Sequence, residues 1–200
     1  MKNGEVRIIG GAWRSRRLRF PSRPGLRPTP DRVRETLFNW LGQDLTGRDC
    51  LDLFAGSGAY GLEALSRGAA GGAFVEQNAR AAACVRQNLA NVARSLGRDL
   101  RDIAVLQADA RTVPLAAGRV PDLVFVDPPY ENIPDIAAGL FARLGEKLAG
   151  NHDALVVFEL PGEMSLAPPG WSLVKRLGKG ARQPTVCFFR PATGVASAAT

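Results

Sequence analysis

The sequence has 200 residues, 46% of them hydrophobic and 22% charged, which is typical of one globular domain with a sizeable core. Its three cysteines are odd in number and far apart, and it has one histidine and no Cys-x-x-Cys pair, so we expect free buried thiols and no metal site. The net charge is +7, and no apolar run resembles a signal peptide or reaches membrane-spanning length, so we expect a cytoplasmic protein without a membrane partner.

The positive charge is concentrated at the start of the chain. Residues 1–34 carry ten Lys and Arg against two Asp and Glu, whereas residues 35–200 carry sixteen against seventeen. A segregated basic segment is typical of binding to a polyanion, although a solvated basic tail would show the same charge. We favour binding, because the segment also contains apolar residues that have reason to fold, such as Ile8, Trp13 and Phe20. For Trp13 we expect packing in the core of the segment.

A short hairpin is predicted within this basic segment. Residues 6–9 and 16–20 contain apolar and basic side chains, and Gly10-Gly11 lies between them. A Pro-rich stretch follows. Thr29 and Pro30 then favour a helix start, with Thr as the N-cap and Pro at the first helical position, and an apolar stripe at helical spacing continues to Leu41.

The remaining elements alternate between strands and helices. This order predicts a mostly parallel sheet covered on both faces, and an antiparallel pair at its end, because the last two strands have no helix-length segment between them. The predicted strands are 50–54, 73–76, 103–107, 123–126, 154–159, 171–177 and 185–190, and the predicted helices are 59–68, 79–96 and 134–148.

A glycine-rich loop joins the first of these strands to the helix that follows. Gly56, Gly58 and Gly61 form the pattern Gly-x-Gly-x-x-Gly, which allows a tight turn, a close approach to the backbone and helix–sheet packing. Glu76 ends the next strand, where a carboxylate can accept hydrogen bonds from both hydroxyls of a ribose. Together these residues predict a cofactor that contains adenosine. A glycine turn that serves packing alone is the less favoured alternative.

The residues around the loop leave two cofactors open. NAD would place a pyrophosphate on the helix N-terminus, whereas S-adenosylmethionine carries an ammonium and a sulfonium that favour a nearby acid. Asp52, just before the loop, can be that acid or can cap a local turn. Asp109 ends the third strand, and it can accept a hydrogen bond from an adenine amine or cap the next segment.

The fourth strand ends in Asp127-Pro128-Pro129-Tyr130, at the edge of the sheet where ligands bind. The prolines stiffen the backbone, so that the Asp127 carboxylate and the Pro128 carbonyl can point the same way. Two acceptors aimed at the two protons of an exocyclic amine would hold that nitrogen and stabilise its developing positive charge. Tyr130 offers a face for base stacking, worth roughly 1–3 kcal/mol. The alternative is a Pro-rich turn with a solvated Asp and a packing Tyr.

Several stretches together resemble one family. The Asp-Pro-Pro-Tyr stretch is similar to the fourth motif of amino-methylating S-adenosylmethionine-dependent methyltransferases. From about Val6 to Arg190, the chain resembles the bacterial small-subunit ribosomal RNA guanine-N2 methyltransferases (RsmD type). The stretches that carry this closer resemblance are RIIGGAWRSRRLRFP, GLRPTPDRVRETLFNWL, DLFAGSGAYGLEALSRGA and FVDPPY. The family often has Leu in place of Tyr60, and we expect that exchange to be harmless.

The resemblance implies a Rossmann-like class I methyltransferase fold, with a mostly parallel seven-stranded sheet, an antiparallel last strand and a small N-terminal β-hairpin. It implies methyl transfer from S-adenosylmethionine to the N2 amine of a guanine in 16S ribosomal RNA, within a small-subunit particle. We expect an RNA-binding extension at 1–30, the methyltransferase domain at 31–191, a disordered tail at 192–200, and a monomer. The implied catalytic residues are Asp127, Pro128 and Tyr130, and the implied cofactor contacts are Gly56, Gly58, Glu76 and Asp109. Asp52 is a further cofactor-binding candidate, from its position before the loop.

The basic segment then has an expected partner in the RNA backbone. Phosphate contacts would position the RNA without selecting the base, and for each arginine a solvated role is an equal alternative. Arg27 follows the hairpin, and we expect it near the rim of the active site. The candidate phosphate-binding residues are Arg7, Arg14, Arg16, Arg17, Arg19 and Arg27.

Other functions are compatible with parts of the pattern. Methyltransferases that act on DNA adenine or protein glutamine more often have Asn where this chain has Asp127. An NAD-dependent oxidoreductase would need a proton-relay residue, and the single histidine, His152, is distant from every motif in the sequence. A non-catalytic ribosome-assembly protein would use the basic segment alone.

Overall fold

The chain forms two sheets and four α-helices within residues 3–21, 30–97, 99–115, 119–178 and 183–192, which are the residues that the computed structural model describes. The strands are β1 (Asn3–Arg7), β2 (Arg17–Pro21), β3 (Asp49–Asp52), β4 (Gly71–Val75), β5 (Ile103–Leu106), β6 (Leu123–Val126), β7 (Leu155–Leu160), β8 (Trp171–Leu177) and β9 (Thr185–Pro191). The α-helices are α1 (Asp31–Leu41), α2 (Ala59–Ser66), α3 (Ala79–Leu96) and α4 (Ile133–Lys147), and 3₁₀ turns occupy Gly11–Trp13 and Tyr130–Asn132.

The main sheet has seven strands in the order β5-β4-β3-β6-β7-β9-β8. Strands β3 to β7 are parallel to one another, and β9 runs antiparallel to both β7 and β8. The central strand β6 is Leu-Val-Phe-Val and is buried along its whole length, as expected for a parallel strand covered on both faces. The predicted mixed sheet with an antiparallel last strand is confirmed.

Local sequence explains where helix α3 begins and how closely α2 packs. The Asn78 side chain caps α3 and accepts a hydrogen bond from the Ala81 backbone N–H at 3.0 Å. Gly61 lies in the first turn of α2, and a Cβ at this position would stand 2.3 Å from the Phe74 ring of β4. The third glycine of the loop pattern therefore allows α2 to pack directly on the sheet.

Two predicted boundaries near the N-terminus differ from the structure. The first strand is Asn3–Arg7 instead of the predicted 6–9, and Ile8 and Ile9 belong to the connection that contains the 3₁₀ turn. Helix α1 begins at Asp31 with Pro30 as its N-cap, one residue later than predicted. The predicted N-cap Thr29, the candidate Arg27 and residues 193–200 of the predicted tail lie outside the described residues.

The hairpin β1–β2 packs into the same core as helices α1 to α3. Its buried side chains include Trp13, 1% exposed, so core packing of Trp13 is confirmed. Along β2 the side chains alternate between exposed and buried, so that Leu18 and Phe20 face the core while Arg17 and Arg19 face solvent. The Asn88 side chain of α3 exchanges hydrogen bonds with both backbone groups of Arg19, at 3.2 and 2.9 Å.

The carboxylate of Glu63 joins the hairpin connection to the helices. Glu63 is fully buried in α2, and its two oxygens accept hydrogen bonds from the Ile9 and Gly10 backbone N–H groups, each at 2.7 Å. The guanidinium of Arg67 lies 2.8 Å from one oxygen and that of Arg34 lies 3.8 Å from the other. Arg34 also donates to the Arg7 carbonyl at 2.8 Å. One carboxylate thus holds the hairpin connection, α1 and α2 together.

Gly11, within this connection, lies very close to the backbone of α2. Its φ is +72°, and a Cβ there would stand 1.9 Å from the Ser66 carbonyl oxygen. The Ser66 hydroxyl accepts from the Trp13 backbone N–H and donates to the Gly10 carbonyl. The Gly10-Gly11 pair therefore allows the connection to lie on the C-terminal end of α2.

Two general expectations can be compared with the described part of the chain. None of its helices combines the length and apolarity needed to cross a membrane. Its three cysteines are free thiols, with Cys50 and Cys187 buried and Cys84 only partly so.

We predict that Glu63→Gln lowers the free energy of unfolding by about 3 kcal/mol, because it removes the charge partner of the buried Arg67 guanidinium, leaves Arg34 with Asp31 alone, and aims an amide donor at backbone N–H groups. Urea denaturation measures this change. Glu35→Gln, at an exposed position on α1, is the matched control and should change stability by less than about 0.5 kcal/mol. Equal effects of the two substitutions would contradict a stabilising role of the Glu63 network.

Candidate active site

Acidic side chains follow the carboxyl ends of the five parallel strands. Asp52, Glu76 and Asp109 lie at or just beyond the ends of β3, β4 and β5, and Asp127 follows β6 directly. Ligands bind at this edge of an open α/β sheet. The structure thus brings the four predicted acids to one edge.

The glycine loop between β3 and α2 is held against the end of β4. Gly56 and Gly58 have φ values of +52° and +77°, so both positions favour glycine. The two oxygens of the Glu76 carboxylate accept from the Gly56 N–H at 2.9 Å and from the Asn78 N–H at 2.7 Å. The loop and the predicted ribose-binding carboxylate are therefore in direct contact.

Asp52 lies beneath the loop and is only 2% exposed. It accepts a hydrogen bond from the Gly61 N–H at 3.0 Å and so caps the first turn of α2, which matches the local role left open in the sequence. Burial raises the pKa of Asp52 to about 7; the charge of Glu76 adds to this rise, and the Gly61 hydrogen bond opposes it.

Asp109 is partly exposed and pairs with Arg111. The Arg111 guanidinium lies 2.6 Å from one carboxylate oxygen, and this pairing, chiefly its hydrogen bonds, lowers the pKa of Asp109. The Asp109 carboxylate also accepts from the Arg111 backbone N–H at 2.9 Å, so it closes a turn. A contact with adenine stays a prediction and would have to share these oxygens.

The Asp-Pro-Pro-Tyr stretch leaves β6 in an extended conformation and leads into the Tyr130–Asn132 turn. Pro128 is buried, Asp127 is partly exposed, and the Tyr130 ring is 38% exposed. Burial, with the nearby charges of Glu159 and Asp127, raises the pKa of the Tyr130 phenol well above its ordinary value. The phenol therefore stays protonated at neutral pH and serves as a hydrogen-bond donor.

The sequence analysis missed Glu159, which lies near the carboxyl end of the buried strand β7, beside this stretch. Val126 pairs with Phe158, so Asp127 and Glu159 are the next residues on two neighbouring parallel strands. Glu159 is 5% exposed, and its oxygens accept from the Tyr60 hydroxyl at 2.8 Å and the Tyr130 hydroxyl at 3.0 Å. The strand-end rule that selected Glu76 and Asp127 would have selected this acid too.

The candidate arginines that the structure describes are exposed on the hairpin and its connection. Arg7, Arg17 and Arg19 are on the paired strands, where Arg17 lies 3.0 Å from Glu5 and Arg7 lies 3.6 Å from Asp31. Arg14 and Arg16 lie on the connection between the strands. The five side chains form a basic surface on a folded support.

The donor set at this sheet edge suits a cationic adenosine cofactor better than NAD. Glu76 and Asp52 accept hydrogen bonds from the loop and from the helix that it opens, and the charge of Glu76 would repel a pyrophosphate but attract an ammonium or sulfonium. The two glycines with positive φ provide the close backbone approach that such a ligand needs. The residues present therefore fit S-adenosylmethionine.

Two other kinds of site can be compared with this edge. No group of three or more His, Cys, Asp or Glu side chains suited to a metal ion occurs among the described residues. A groove of about 310 Å³ lies on one face of β3 to β5, lined by Ala73, Leu106 and Lys147 among others. The predicted site residues do not line this groove.

Comparison with known proteins identifies relatives along nearly the whole chain. Residues 6–189 match the family described as Conserved hypothetical protein 95. The chain is 42% identical to ribosomal RNA small subunit methyltransferase D of Escherichia coli (strain K12) over 177 residues, which is 86% of this chain and 83% of that protein.

Solved structures agree with this comparison. The yhhF protein of Escherichia coli superposes with a TM-score of 0.70 at 39% identity, covering 94% of this chain and 98% of that one. An RNA methyltransferase from Salinibacter ruber in complex with S-adenosyl-L-homocysteine has a TM-score of 0.61 at 16% identity, covering 85% of this chain and 97% of that one. At that identity the likeness concerns the fold alone.

We predict that the buried Asp52 makes the protein less stable as the pH rises from about 4 to about 7, relative to Asp52→Asn. In this range the unfolded chain releases a proton that folded Asp52 retains, so the stability difference changes by up to about 1.4 kcal/mol per pH unit. The amide of Asp52→Asn keeps an acceptor for Gly61. Urea denaturation of both proteins across this range measures the difference.

The exposed Asp102 provides the matched control, because Asp102→Asn should give a difference from wild type that barely varies with pH over the same range. A stability difference between wild type and Asp52→Asn that stays constant from pH 4 to pH 7 would contradict the raised pKa.

Proposed function

The chain belongs to the ribosomal RNA small subunit methyltransferase D family, and on that premise we propose that it transfers a methyl group from S-adenosylmethionine to the N2 amine of a guanine in 16S ribosomal RNA. The observation that carries the proposal is the meeting of neighbouring strand ends. The glycine loop with Glu76 and the Asp-Pro-Pro-Tyr stretch share one edge of the sheet, as a donor site and an acceptor site must.

The chain's own residues hold the amine for attack. The Asp127 carboxylate and the Pro128 carbonyl accept its two N–H groups, and the prolines keep both oxygens in a fixed relation. The guanine amine is a weak nucleophile, because its lone pair is delocalised into the ring. Two fixed acceptors orient that lone pair and stabilise the positive charge that develops on nitrogen. Bound S-adenosylmethionine supplies the electrophilic methyl group.

The target guanine has to leave its stack to reach the edge of the sheet, so a loop or bulge of the RNA is the expected target. The half-exposed Tyr130 ring provides a surface on which the extruded base can stack. The acceptor pair at Asp127 suits the N2 amine, and the family to which the chain belongs supports guanine over the DNA and protein substrates of related enzymes.

The basic hairpin is the proposed contact with the RNA backbone. Its arginines are exposed, and the buried side chains of the hairpin belong to the main core, so the charges keep a fixed position relative to the Asp-Pro-Pro-Tyr stretch. We keep the division at residue 30 as a functional one, with an RNA-binding extension before it and the methyltransferase domain after it. A small-subunit particle as substrate, action as a monomer and a cytoplasmic location belong to the same proposal.

We predict that Asp127→Ala lowers the rate of methyl transfer by about 10²- to 10³-fold, because the amine then has one acceptor instead of two. The affinity for RNA should stay within about twofold, since the hairpin arginines supply most of it. Transfer of labelled methyl groups to small-subunit particles that lack the modification measures the rate, and mass spectrometry identifies the methylated base. A near-wild-type rate would contradict the proposed role.

We predict that Arg16→Gln and Arg17→Gln, combined, weaken RNA binding and lower the slope of log K against log salt by about 1 for each phosphate that the variant no longer neutralises. The rate at saturating RNA should stay unchanged, because neither residue is near the amine. Filter binding at several salt concentrations tests this. Lys175→Gln, on the exposed strand β8, is the matched control and should leave the slope as in wild type.

A further inference from the structure

The carboxylate of Glu159 connects the two halves of the proposed active site. Tyr60 lies in the first turn of α2, just before Gly61 of the glycine pattern, and Tyr130 belongs to the stretch that follows β6. Both phenols donate to this one carboxylate, at 2.8 and 3.0 Å. Glu159 is therefore bonded to the cofactor side and to the target side at once.

We propose that Glu159 is a positioning residue, which holds the Tyr130 ring at the angle that the target base needs for stacking. This inference rests on the proposed function, because it gives the Tyr130 ring a base to orient. The prolines fix the backbone before Tyr130 but not its two side-chain torsions. A hydrogen bond from the phenol to a buried carboxylate fixes the far end of the ring and so restricts both torsions.

The carboxylate is itself held in place from the other side. The Tyr60 ring stacks on Phe125 of β6, with ring centroids 5.3 Å apart and planes 6° apart. Phe125 is fully buried and lies two residues before Asp127. These interactions thus close a ring from β6 through Tyr60, Glu159 and Tyr130 back to the end of β6. We expect Tyr60 to matter for this geometry, whereas the sequence alone predicts that its exchange for Leu is harmless.

A purely structural role of Glu159 would give a different result when its substitution is combined with one at Tyr130. If Glu159 only satisfies buried phenols or stabilises the fold, its substitution should do the same harm whether or not Tyr130 keeps its hydroxyl. If it acts through Tyr130, its substitution should do little once that hydroxyl is gone. The dependence of one substitution on the other separates the two roles.

The experiment compares wild type, Glu159→Leu, Tyr130→Phe and the double variant in methylation of small-subunit particles. We expect each single variant to lower kcat/KM for the particle by about tenfold, the effect expected for removal of a hydrogen bond to a charged group. The double variant should match Tyr130→Phe within about twofold. The Kd for S-adenosylmethionine, measured by calorimetry, should stay within about twofold of wild type in all of them, since the proposed cofactor-binding residues are untouched.

A second substitution guards against a folding defect. Glu159→Gln keeps the volume of the side chain and one carbonyl acceptor, so we expect a smaller decrease in kcat/KM, again absent in the Y130F background. Glu163→Leu, an exposed position after β7, should behave like wild type.

Two outcomes overturn the inference. One is an equal decrease from Glu159→Leu or Glu159→Gln with and without the Tyr130 hydroxyl, and the other is an effect confined to the Kd for S-adenosylmethionine. A wild-type protein that methylates no guanine would instead contradict the proposed function, so the two failures are distinguishable.

Discussion

The buried carboxylate of Glu63 is the interaction on which the placement of the basic hairpin depends. A carboxylate without solvent contact is unfavourable unless charges and hydrogen bonds compensate it, and here two guanidinium groups and two backbone N–H groups do so. The N–H groups belong to the hairpin connection, whereas the guanidinium groups belong to α1 and to the end of α2. Charge compensation at this one carboxylate therefore sets the position of the basic hairpin relative to the main sheet.

The same logic recurs along the carboxyl edge of the sheet, with a different result. Asp52, Glu76 and Glu159 are buried, but the partners that the structure shows for them are backbone N–H groups and phenols. These hydrogen bonds offset the cost of burial only in part, since burial still raises the pKa of Asp52 to about 7. In our proposal, the basic hairpin attracts the polyanionic RNA, and the acidic edge attracts the cationic cofactor.

The sequence was sufficient for the elements whose pattern is local. Strand β6 and helix α3 could be predicted because an unbroken apolar run and an Asn cap with helical spacing each depend on adjacent residues. The end of β1 could not, because the connection that follows it is shaped by the close approach of Gly11 to α2. The contacts of Glu63 with the hairpin connection and the Tyr60–Glu159 hydrogen bond were missed for a related reason, since each joins residues 53 to 99 positions apart in the sequence. The four strand-end acids were predictable because parallel topology gathers strand ends whatever the side chains do.

The arrangement of β2 has a consequence for attempts to separate the basic hairpin from the methyltransferase domain. Each arginine of this strand alternates with a core side chain, and the Asn88 side chain of α3 forms hydrogen bonds with both backbone groups of Arg19. Trimming the first twenty residues would expose an apolar surface and leave Glu63 with cations but without its amides. A minimal catalytic fragment of this enzyme would thus have to retain the basic hairpin, and an exchange of the hairpin between relatives would have to include α1, α2 and α3.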